Sequence, residues 1–136
     1  MSSLSALPRC MALLVCNDVI EDKRTNNKTL VGLFNRITAP RLPTKHPRLY
    51  IFISITDFSG TAPLAVRISS PSKEVMTLNG ELKCEDAAAV ADIVLELQAL
   101  PLEEPGRYHI ELIVSGMPIA DRFFHVTEGG HPLPAG

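Results

Sequence analysis

The chain has 136 residues, a formal net charge of −2, 46% hydrophobic and 21% charged residues, and three cysteines. That length is enough for one domain with its own core. The near-neutral charge excludes a general pull toward nucleic acid or anionic lipid, and no apolar run approaches the roughly 18 to 20 residues of a membrane helix.

In chain order, the first element is "RCMALLVCNDVIED" (9–22). An export signal needs a basic start, an apolar run of about 7 to 15 residues and a small residue before the cleavage point. Here Val15 precedes Cys16 and the run continues straight into a turn, so the stretch reads as a core strand that stays in the protein. Asn26-Asn27 then offers a left-handed turn before "LVGLFNRI". "TAPRLPTKHP" (38–47) carries three prolines and is expected to be a loop, not a central strand. Residues 48–56, 64–70, 74–84 and 107–114 alternate apolar and polar side chains with period two, the pattern of half-buried or buried strands. "SPSK" (70–73) and "SGMP" (115–118) read as tight turns. "EDAAAVADIVLELQAL" (85–100) fits either a helix capped by Asp86 or a strand with Ala91, Ile93, Leu95 and Leu97 inward. Residues 1–127 are expected to form a single domain and 128–136 a tail.

The stretch that decides between helix and strand is Glu104-Pro-Gly106-Arg-Tyr108-His-Ile110. It resembles the immunoglobulin-type tyrosine corner, in which a tyrosine hydroxyl bonds back to the corner backbone ahead of a buried strand. Ile110 stands where antibody domains carry a cysteine. The preceding "ADIVLEL" then becomes the strand before the corner, and the expected fold is an antiparallel immunoglobulin-like β-sandwich of seven to eight strands. The odd set Cys10, Cys16 and Cys84 contains no CxxC, which fits reduced thiols and a cytoplasmic protein.

Three spaced segments, "LLVCNDVIEDKRTNNKTLVGLFNRITAPRLP", "HPRLYIFISITD" and "LPLEEPGRYHIELIVSG", together resemble an uncharacterised family of small bacterial all-β proteins, a domain of unknown function. The resemblance covers roughly residues 12–127. It implies a bacterial β-sandwich and no particular activity.

The sequence holds no phosphate-cradling glycine loop, no HExxH, no nucleophile elbow and no paired cysteine ligands, so the expectation is a binding protein without cofactor rather than an enzyme. Two constellations stand out. Counting connections as alternating between the ends of a sandwich gathers Asp18, Asp22, Asp57 and Asp86 at one end, an oxygen-rich set that raises a calcium-dependent module as an alternative. The second is charge segregation. Seven Lys or Arg and no acid lie between Lys23 and Thr56, against eight acids and the single base Lys83 between Glu74 and Glu104. Arg41, Lys45, His46 and Arg48 surround the proline segment and form the expected partner-binding surface, for a protein partner or a second copy of the chain. A weak nucleic-acid binder using the same bases is the other alternative.

Overall fold

Period-two patterning becomes strand almost throughout. The computed structural model describes residues 7–129. Nine strands lie among the described residues: β1 (Arg9–Glu21), β2 (Lys28–Leu33), β3 (Arg36–Ala39), β4 (Thr44–Thr56), β5 (Gly60–Ser69), β6 (Glu74–Cys84), β7 (Ala91–Leu102), β8 (Gly106–Val114) and β9 (Met117–Glu128). They form a four-stranded sheet in the order β2-β1-β4-β7 and a five-stranded sheet in the order β3-β9-β8-β5-β6. All pairings are antiparallel except β3 with β9, which is parallel. The expectation of seven to eight purely antiparallel strands is therefore corrected on both counts. β3 is four residues long, too short to register as a periodic pattern.

Side chains alternate across each strand, and the inward set from both sheets forms one core. Leu49, Ile51, Ile53 and Ile55 of β4 face Val66 and Ile68 of β5 and Tyr108, Ile110, Leu112 and Val114 of β8, all at most 1% exposed. Burying each of these large apolar side chains contributes about 1.5–3 kcal/mol before chain entropy is set against it. The stretch with helix and strand readings is strand from Ala91 onward, while Asp86 caps a turn by accepting from the Ala88 N–H at 2.8 Å.

Turn chemistry follows the sequence. Asn26 (φ 62°) closes the β1–β2 turn, and Ser115 and Gly116 (φ 51° and 80°) make the two-residue β8–β9 hairpin. At the β7–β8 corner the Tyr108 hydroxyl donates to the Glu104 carbonyl at 2.8 Å. The Glu104 carboxylate reaches across to the β5–β6 turn, accepting from the Ser70 hydroxyl at 2.7 Å, the Ser72 N–H at 3.2 Å and the Ser72 hydroxyl. These bonds hold its carboxyl below the usual carboxylate pKa. Gly106 sits at φ 129°, and a Cβ there would lie 2.6 Å from Pro71 Cγ. Only glycine meets both demands.

One irregularity shapes the basic segment. Along β4 and β7 the inward positions are odd up to Leu49 and Leu97, yet beyond them Leu100 and Leu102 are buried and Thr44 and His46 half-buried. Two successive exposed residues mark the slip on each strand, Pro47-Arg48 and Gln98-Ala99, and Ala99 adopts φ 55°. Pro47 lies within β4 after all. It is tolerated because the β1 ladder stops at Cys16↔Tyr50 and the β7 ladder skips the Pro47–Ala99 position, so no bond needs its missing N–H.

Candidate functional surfaces

The expected loop from Thr38 to Pro47 is shorter than the sequence suggested. Thr38 and Ala39 complete β3, and Lys45, His46 and Arg48 belong to β4, leaving Pro40–Pro43 as the connection. The Leu42 N–H donates to the Glu128 carboxylate at 2.8 Å, which ties this connection to the end of β9. Glu128, expected to begin the tail, is thus the last residue of β9 and pairs with Ala39; residues 130–136 lie outside the described residues.

The four basic candidates separate. Arg41 and Lys45 are exposed and have no carboxylate within ion-pair distance among the described residues. Lys45 borders a hollow of about 220 Å³ with Pro43, Thr44, Pro101 and Glu103. Arg48 pairs with Glu96 at 3.8 Å and lies 6.0 Å from the Tyr50 ring centre. His46 is turned inward by the phase slip, with its ring 6.2 Å from that of Phe34, and burial lowers its pKa. His46 and Arg48 share a shallow cleft of about 490 Å³ with Asn17, Pro47 and Gln98, opened where β1 leaves β4.

The acidic candidates do not converge. β1 runs antiparallel to β4, with Arg9 beside Thr56, so Asp22 follows the far end of β1 while Asp57 follows the near end of β4. Uncounted, the short β3 inverts the parity of every later connection. Asp18 and Asp22 therefore lie toward the end of the sandwich opposite Asp57 and Asp86. Each acid serves its own neighbourhood. Asp18 accepts from Val19 N–H, Asp22 from Arg24 N–H and Asp86 from Ala88 N–H, and Asp57 pairs with Arg9 at 3.6 Å. Among the described residues no three His, Cys, Asp or Glu side chains are grouped to hold a metal ion.

The outer face of the five-stranded sheet carries a constellation absent from the sequence reading. Register sets Arg36 beside His125 and His125 beside Arg107, a row across β3, β9 and β8. The next row brings Thr38 and Thr127 together, their hydroxyls 3.2 Å apart. Below lies Phe123, with the Arg107 guanidinium 3.7 Å from its centre and the His109 ring stacked at 4.5 Å and 11°. Two planar groups at those distances cannot share one face, so Phe123 is held between them. His109 Nε2 then meets Asp121 Oδ2 at 2.8 Å, and Arg67 grips Glu111 with two contacts of 2.9 Å. Glu111 and Asp121, the acids of β8 and β9 on this face, are thus engaged by Arg67 and His109, while Arg36, Arg107 and His125 have no carboxylate within 4.0 Å among the described residues.

A two-sheet, all-β protein with basic side chains displayed on strand faces is the class these features define. The chain belongs to a family of unknown function, DUF6941, whose model matches residues 11–127. No curated protein matches it. Among solved structures it is similar to the alkylpurine DNA glycosylase AlkC of Pseudomonas fluorescens, bound to DNA containing an abasic site analog. The TM-score is 0.53 and the identity 14%, covering 88% of this chain and 30% of that one. An immunoglobulin-like protein from Pseudomonas aeruginosa aligns at TM-score 0.47 and 14% identity over 90% of this chain and 98% of that one. A β-glucosidase from Listeria innocua aligns at 0.48 and 13% over 90% and 16%. The likeness to the glycosylase is one of fold, and this chain spans under a third of that protein. No helix is long and apolar enough to cross a membrane among the described residues.

Proposed function

We propose that this chain is an immunoglobulin-like, non-catalytic protein-interaction module of the bacterial cytoplasm, acting as an adaptor or assembly element that meets an acidic partner through Arg41 and Lys45. The supporting observation is their isolation. Arg9, Arg24, Lys28, Arg48, Arg67, Lys73 and Lys83 each sit within 4.0 Å of a carboxylate, whereas Arg41 and Lys45, like Arg36 and Arg107 on the sheet face, have none among the described residues. Arg41 and Lys45 project together from the proline-stiffened connection and the start of β4. Proline restricts that segment beforehand and lowers the ordering cost of docking. The cytoplasmic part of the reading leans on the thiols, since Cys10, Cys16 and Cys84 are all free.

The test is capture of the tagged chain from its host after nuclease treatment, run beside the Arg41→Glu/Lys45→Glu variant. The expected result is a stoichiometric protein that the native chain retains and the variant loses. A partner held equally by both, or recovery of the chain alone, would defeat the proposal.

A further inference from the structure

We infer that the outer face of the five-stranded sheet is a second docking surface, which receives a short acidic polypeptide segment across the row Arg36–His125–Arg107. Arg36 and Arg107 flank His125 in direct cross-strand register, a local excess of positive charge with no carboxylate within 4.0 Å of either arginine among the described residues. Pairing opposite charges across strands would relieve it, yet Glu111 and Asp121 on the same face are held by Arg67 and His109. The missing counter-charge is left for a ligand to supply.

The row is also preorganised. Stacking on Phe123 occupies one face of the Arg107 guanidinium and leaves its in-plane N–H fork free to meet a carboxylate bidentately. His109, anchored by Asp121, backs the other side of the ring, so Arg107 is braced through Phe123 by a buttress across β8 and β9. Thr38 and Thr127 add two hydroxyls one row further up.

The observations favour an acidic segment over a nucleic acid. Both faces of Phe123 are covered, so no aromatic platform is left for a base to stack on. Two fixed cations in a chain of net charge −2 suit a run of two or three carboxylates better than a long polyanion. The geometry is also compatible. Arg36 and Arg107 stand two strands apart, roughly 10 Å, and acids two residues apart in an extended segment sit about 7 Å apart, a gap that long arginine side chains close. The inference stands independently of Arg41 and Lys45, which lie outside this row.

The test is an amide chemical-shift titration of the full 15N-labelled chain. The probes are a peptide of alternating Glu and Thr, the same peptide with Gln for Glu, and oligothymidylate. The expected result is saturable shifts at residues 36, 38, 107, 125 and 127 with the Glu peptide alone. Arg36→Gln/Arg107→Gln should weaken them about fivefold or more, the order expected for losing two exposed charge pairs. Arg36→Gln, outside the aromatic stack, should give part of that loss without disturbing the fold. Four results would overturn the inference: no shifts in the row, equal shifts with the Gln peptide, shifts retained in the double variant, or stronger shifts with oligothymidylate. Shifts confined to residues 40–45 would also overturn it while leaving the Arg41 and Lys45 reading intact.

Discussion

Tyr108→Phe removes one oxygen atom from the corner between β7 and β8 and leaves the rest of the packing in place. The Tyr108 side chain is fully buried, its ring lies 5.3 Å from that of Phe124, and its hydroxyl donates to the Glu104 carbonyl at 2.8 Å. The ring contact survives in phenylalanine, so the change isolates the hydrogen bond. A net intramolecular hydrogen bond contributes about 1 kcal/mol, and a carbonyl left without its donor in a part-buried site raises the loss toward 2 kcal/mol. For a domain of this size, about 1 kcal/mol shifts Tm by roughly 3 to 5 °C, so the variant should melt about 3 to 10 °C below the native chain. The assay is thermal and urea unfolding followed by far-ultraviolet circular dichroism, which suits an all-β chain without tryptophan. Stability equal to or above that of the native chain would refute the account of the corner.

Gly106→Ala should cost more than Tyr108→Phe, about 2 kcal/mol or above in urea unfolding, because it combines a left-handed φ with a clash against Pro71. Glu104 sets a pH dependence. Its carboxyl titrates lower in the folded chain than in the unfolded one, so its contribution is present above the unfolded pKa and is lost as pH falls through the folded value. Melting curves taken downward from pH 6 should therefore fall more steeply for the native chain than for Glu104→Gln, and parallel curves would contradict this.

What was legible in the sequence was local. Alternation located the strands around Ile51, Val66, Leu82 and Ile110, turn residues placed Asn26 and Ser115-Gly116, and the spacing of Glu104, Gly106 and Tyr108 indicated the corner that the structure shows closed by a hydrogen bond. What was missed depends on pairing between distant segments. β3 is too short to show a period, and leaving it out of the count moved Asp18 and Asp22 to the wrong end. The slip at Pro47 and Ala99 involves two strands at once, so neither sequence alone announces that His46 turns inward. The row Arg36–His125–Arg107 exists only through register, since its first two members are joined by a pairing that no local window spans.

The parallel pairing of β3 with β9 also bears on how the chain reaches its fold. Thr38 and Thr127 meet across 89 positions of sequence, so the short strand has no partner until nearly the whole domain has been synthesised. Until then the five-stranded sheet has no β9 to pair with β8, and that flank of its core is open to water. Order in this half of the molecule must arrive late and together, with the slow kinetics that long-range strand pairing imposes. A chain shortened before Phe123 would lose β3 as surely as if β3 itself had been deleted.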